Sequence, residues 1–139
     1  MSDFLAQWDE FYSTVDDVAV SLRLYPISGD EEEVQVGMPL FKEITQPAGM
    51  FSAPALFGLA DVAGTWLAMQ QVPKGVFPLA VGSNINVVSN TRQGDAVAKA
   101  HVVRAGKMVI VTDTEIFSKE TGAILAKVVT TYTVPPLKK

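Results

Sequence analysis

Ala53-Pro-Ala-Leu-Phe-Gly-Leu-Ala-Asp61-Val-Ala-Gly-Thr-Trp-Leu-Ala-Met69 is the segment from which the architecture can be read. Wound as a helix, it is apolar on nearly every side, the pattern of a helix buried all round. Between Ile44 and Pro73 the one ionisable side chain is Asp61. Its neighbours one turn away are Phe57, Gly58, Gly64 and Thr65, and none of them neutralises a carboxylate. Aspartate is a poor helix former and is almost never fully buried without a partner. Asp61 is therefore either a solvated helix-edge group or a functional one, and the rest of the chain has to decide between the two.

Outward from this helix, which extends to about Gln71 and is closed by Pro73-Lys74-Gly75, the two flanks differ. Before it, Phe4, Leu5, Trp8, Phe11 and Tyr12 fall at helical spacing, which predicts an amphipathic helix over about 3–14 with Ser2 as its N-cap. Val18 to Tyr25 alternates loosely and reads as a strand, Ile27 to Glu33 as a polar turn, and Val34 to Glu43 as a further extended segment. After it come four blocks rich in Val, Ile, Thr and Tyr: Leu79–Asn90, Asp95–Arg104, Lys107–Phe117 and Gly122–Val134. Asn90-Thr-Arg-Gln-Gly94, Ala105-Gly106 and Glu120-Thr-Gly122 punctuate them as turns. The expected architecture is one α+β domain over 1–139, an antiparallel sheet with a single long buried helix.

Composition removes several classes of function. The chain has 139 residues, 48% hydrophobic and 19% charged, enough for one packed core. A net charge of −4, with only Lys138 and Lys139 as a basic tail, argues against nucleic acid as partner. The chain has no cysteine and one histidine, His101, so thiol chemistry, multi-histidine metal sites and Ser-His-Asp catalysis find no support. His101 lies in a predicted strand far from Asp61 and reads as a strand-surface group. With no signal pattern and no membrane-length apolar run, the expected location is cytoplasmic.

The segment Gln46-Pro-Ala-Gly49-Met-Phe-Ser52-Ala-Pro-Ala-Leu-Phe-Gly-Leu-Ala-Asp61 resembles the signature of hotdog-fold acyl-CoA thioesterases of the phenylacetate and 4-hydroxybenzoyl-CoA type. Ser83-Asn-Ile-Asn-Val-Val-Ser89, Gln93-Gly-Asp95, Val103-Arg-Ala-Gly-Lys107 and Gly122 to Tyr132 resemble that family's later strands and turns, so the likeness spans roughly 33–134. It implies a hotdog fold, a curved antiparallel sheet wrapped around one long central helix. It also implies an acyl-CoA substrate, no cofactor beyond the substrate's own coenzyme A, and a homodimer or homotetramer with shared sites. Asp61, Gln46, Gly49, Thr65 and the Ala53 N–H fall on positions the family uses. Ser52-Ala53-Pro54 stands where the family has His-Gly-Gly, and Ala80 where many relatives carry Ser or Thr. The lost histidine keeps a second reading open: a non-catalytic hotdog domain binding an acyl thioester or another apolar ligand.

The residue types suit the chemistry. A thioester carbonyl at a helix N-terminus meets orphan N–H donors and the positive end of the helix dipole. Asp61, its basicity raised by apolar surroundings, serves as general base on water or as nucleophile on the carbonyl. Gln46 orients water or the acyl carbonyl, and Thr65 holds the carboxylate or a water. Ordinary turn and helix hydrogen bonding is the alternative for both. Ser52 is first an N-cap and second a polar lining of the site. Arg92, Arg104 and Lys107 are the candidates to meet coenzyme A phosphates. Trp8, Trp66 and the phenylalanines are core or interface anchors. Gly58 and Gly64, which weaken a helix, predict close approach by another element.

Overall fold

The computed structural model describes residues 3–136. Six antiparallel strands form one sheet in the order β1-β2-β4-β5-β6-β3, with β1 Tyr25–Gly29, β2 Glu33–Met38, β3 Leu79–Val87, β4 Ala96–Ala105, β5 Val109–Ser118 and β6 Ile124–Thr133. The long helix α3, Ala53–Met69, carries the chain from β2 at one side of the sheet to β3 at its far edge. Two shorter helices precede the sheet, α1 Asp3–Thr14 and α2 Val18–Ser21. This is the sheet-around-helix architecture that the resemblance implies. The N-cap reading of Ser2 and the basic tail Lys138-Lys139 lie outside the described residues.

Period-two patterning builds the concave face. On β5, Ile110, Thr112, Thr114 and Ile116 point inward, while Val109, Val111, Asp113 and Glu115 point out. On β4, Ala96, Ala98 and Ala100 are all fully buried and make a shallow track. That track lets α3 lie close to the sheet with Leu56, Leu59, Ala63 and Leu67 inward. Register shifts at Val102/Arg104 in β4 and Ala80/Gly82 in β3 mark bulges, devices that bend a strand and increase its twist.

Both helix glycines sit at close approaches. A Cβ on Gly58 would lie 2.7 Å from a methyl of Leu22, just after α2, and one on Gly64 would lie 2.5 Å from the Tyr132 hydroxyl on β6. Helix α1 closes the other end of the core through Trp66. Phe4, Trp8 and Phe11 pack around its indole at centroid distances of 5.5, 5.5 and 5.4 Å. Trp66 Nε1 donates to the Tyr12 hydroxyl at 3.2 Å.

The N-terminal third departs from the sequence reading in three places. Val18–Ser21 is a helical turn rather than a strand. Asp17 caps it, its Oδ1 accepting from Ala19 N at 2.8 Å, and Ala19, Leu22 and Leu24 are buried. The polar turn is shorter than Ile27–Glu33, because β1 runs to Gly29 and Asp30 Oδ1 then accepts the N–H groups of Glu32 and Glu33. The extended segment Val34–Glu43 ends at Met38 and is followed by a 3-10 turn over Lys42–Ile44.

Candidate active site

Helix α3 is not buried all round. Its inward residues follow the sheet, but Ala53, Pro54 and Phe57 are exposed, and Gly58, Asp61, Thr65 and Met69 are half-buried. These positions recur every three or four residues and form one stripe. Asp61 lies at its middle. Among the described residues no cation and no hydrogen-bond donor meets its carboxylate; its backbone carbonyl, not its side chain, faces the Tyr132 hydroxyl at 3.5 Å. Burial without a compensating partner pushes the Asp61 carboxyl above the usual carboxylate range.

Thr65, one turn further on, turns its hydroxyl to Tyr132 at 3.4 Å rather than to Asp61. Tyr132 is buried, and desolvation is the main cause that raises its hydroxyl to about 12, so it stays protonated at neutral pH. This hydroxyl pair holds the middle of α3 on β6. It leaves Asp61 pointing into a small cavity of about 90 Å³ that Tyr12, Asp17 and Trp66 also line.

The start of α3 is a separate cluster. Ser52 caps the helix, its Oγ accepting from Ala55 N at 3.3 Å. Pro54 has no N–H to offer. Among the described residues no acceptor meets the Ala53 N–H, so it is the one donor left facing outward at this helix end. The preceding turn is built by Gln46, whose Oε1 accepts from Ala48 N at 2.5 Å and Met50 N at 3.4 Å. Gly49 completes the turn at φ +82°, a conformation that a side chain would strain.

Two further side chains brace that turn. Asn90, after β3, donates from Nδ2 to Phe51 O at 2.8 Å and accepts from Phe51 N at 3.1 Å. Arg92 Nε donates to Ala48 O at 3.0 Å. Sequence reasoning placed Asn90 at the end of a strand block and the start of a turn, with no role at the site. Its clamp on Phe51 spans a long stretch of chain, and no local pattern signals it.

The three candidate cations are divided between two places. Arg92 joins Gln46, Gly49, Ser52 and Ala53 at the start of α3. Arg104 and Lys107 lie at the β4–β5 hairpin, where Lys107 shares a cavity wall with Pro73, beyond the other end of α3. His101 is on the outer face of the sheet, paired with Glu33 at 2.8 Å, away from these groups. No helix of the described residues is long and apolar enough to cross a membrane.

The thioesterase superfamily profile matches residues 48–124. No curated protein matches the sequence. Among solved structures, a thioesterase from Haemophilus influenzae superposes with a TM-score of 0.88 at 19% identity, over 97% of this chain and 92% of its own. The PaaI protein of the phenylacetic acid degradation operon of E. coli gives 0.84 at 23% identity, over 97% and 96%. A hypothetical thioesterase from Streptococcus pneumoniae, solved with coenzyme A, gives 0.73 at 19% identity, over 84% and 91%. Likeness at these identities shows a shared fold, the hotdog architecture.

Proposed function

The chain belongs to the thioesterase superfamily, and on that premise we propose that it hydrolyses an acyl-CoA thioester to the free acid and coenzyme A. The observation that carries the reading is the Asp61 carboxylate: half-buried, raised in basicity and without a partner among the described residues. A structural carboxylate at such a place would be expected to find a donor, because burying an unpaired charge costs stability.

In this reading the thioester carbonyl oxygen accepts a hydrogen bond from the Ala53 N–H, at the positive end of the α3 dipole. Asp61 then takes a proton from water as the water oxygen bonds to the carbonyl carbon. Alternatively, it attacks that carbon itself and water cleaves the resulting anhydride. In either case the carbon–sulfur bond breaks and the coenzyme A thiolate leaves. Gln46, whose Oε1 is committed to its own turn, keeps its Nε2 donors to orient the acyl oxygen or the water.

In this reading two copies share the site. Ala53 and Asp61 stand about 12 Å apart along one helix axis at 1.5 Å rise per residue. A single carbonyl group cannot meet both from the same chain. The shared site of a dimer brings the Ala53 end of one copy to the Asp61 of the other. An unpartnered edge supports such an assembly: among the described residues β3 pairs with β6 alone, and Leu79 and Val81 on it are 53 and 62% exposed. A strand edge of this kind is normally covered.

Thiol release from a panel of acyl-CoA thioesters tests the activity. At least one member is hydrolysed well above the buffer rate. If none is, while coenzyme A esters still bind, the non-catalytic reading favoured by Ser52 in place of the family histidine takes over.

Coenzyme A phosphates are the proposed partners of Arg92, Arg104 and Lys107. Alanine at Arg104 or Lys107 touches neither α3 nor the Gln46 turn. For a residue that contacts phosphate, KM rises about two- to fivefold, the scale of an exposed ion pair, with kcat unchanged. Added salt narrows that difference. Arg92→Ala also releases the Ala48 carbonyl, and so lowers kcat as well. Steady-state kinetics at low and high ionic strength separate the three.

A further inference from the structure

The small cavity at Asp61 borders a larger one. Phe11, Trp66, Met69 and Phe77 line it, and the same four side chains form part of the wall of a second cavity of about 550 Å³. This larger space lies between α1, the end of α3 and the loop that follows, where Val72 and Val76 add apolar wall. Trp66 fixes one side of the shared lining, and half-buried Met69 stands at the other. Trp66 is 3% exposed, stacked on Trp8, and its Nε1 is bonded to the Tyr12 hydroxyl.

The charges around the two spaces have one dominant sign. Asp61 and Asp17 face the small cavity and Glu10 the larger one, against Lys74 alone at the rim. An acyl group ending in a second carboxylate would be repelled, and an uncharged apolar one would not. From Asp61 to Met69 the path along α3 is two turns, about 12 Å. An acetyl group fills little of that length.

We propose that the space between α1 and the end of α3 is the acyl pocket, and that it selects an uncharged, apolar acyl group of medium chain length. The proposal rests on the reading of Asp61 as the group that meets the thioester. Helix α1 then acts as the wall that gauges acyl length, with Met69 at the junction of the two spaces.

The test compares kcat/KM for acetyl-, hexanoyl-, decanoyl- and succinyl-CoA. It is paired with binding of S-ethyl- and S-decyl-coenzyme A, thioethers that cannot be hydrolysed, followed by tryptophan fluorescence. Activity climbs from acetyl to decanoyl, by up to about fourfold per methylene buried, and succinyl-CoA is the poorest substrate. S-decyl-coenzyme A binds more tightly than the ethyl compound and perturbs the fluorescence.

Met69→Trp fills the junction, and Val76→Trp fills the larger cavity from the loop. Each removes the advantage of decanoyl- over acetyl-CoA by at least tenfold. Thioether binding indifferent to chain length, or a chain preference that both variants leave intact, overturns the proposal. Chain-dependent thioether binding without hydrolysis of any ester upholds the pocket and rejects the thioesterase reading instead.

Discussion

Asp61→Asn lowers kcat by about two orders of magnitude or more, the scale of a general-base contribution, and leaves KM near its parent value. Asparagine keeps the size of the side chain, so it still fills its place beside Thr65 and Trp66. It can neither accept the proton of an attacking water nor form an anhydride. The loss therefore falls on the transition state alone.

Stability moves the other way. Burial raises the Asp61 carboxyl in the folded chain, so the folded state binds that proton more tightly than the unfolded chain does. The ionised form then costs stability: the cost begins as pH rises past the unfolded carboxyl value of about 3.9 and is complete above the folded one. Asp61→Asn accordingly has the higher Tm at neutral pH, and the difference vanishes at about pH 3. Calorimetric scans at the two pH values, beside steady-state kinetics, check both halves. A variant that turns over at the parent rate, or that melts lower at neutral pH, makes Asp61 a structural group.

Ala53→Pro produces the second large loss, and combined with the first it reports where the site is. Proline suits the first position of a helix and removes only the N–H there. The fold should persist while the carbonyl loses its donor, at a cost of about a hundredfold in kcat. Alone, each variant keeps about a hundredth of the parent activity or less.

Co-expression of the two gives mixed dimers in which one of the two sites pairs a native Asp61 with a native Ala53. About a quarter of the parent activity returns, since random two-fold assembly makes half of the dimers mixed. A site contained within one chain returns nothing, because every chain carries a lesion. Light scattering of the parent protein as a dimer or tetramer is the accompanying result, and a monomer contradicts the shared site.

Local pattern alone made part of this molecule legible. The apolar run bounded by Ser52 and Pro73 predicts α3, and the alternation after Leu79 predicts β3 to β6 within a few residues of their observed ends. Both periodicities are written residue by residue into the chain, and a long run leaves little choice between them. Val18–Ser21 is too short for that. Four residues satisfy a strand or a helical turn equally, and Asp17 as cap, with Leu22 seated against Gly58, settles it.

The sequence by itself also determined that one carboxylate, Asp61, stands alone in an apolar helix, and that a capped helix start lies two turns before it. Tertiary structure decided the rest. It opened a stripe on a helix that reads as buried all round, because the sheet curves over only part of its circumference. It turned Thr65 toward Tyr132 and away from Asp61, fixed the Gln46 turn with Asn90 and Arg92, and sent Arg104 and Lys107 to the opposite end of α3. It also set the space beside Asp61 against the cavity under α1, with Phe11, Trp66, Met69 and Phe77 lining both. Each of these is a meeting of residues far apart along the chain. Such meetings are set by how a folded sheet wraps a helix, and a local pattern of spacing carries no trace of them.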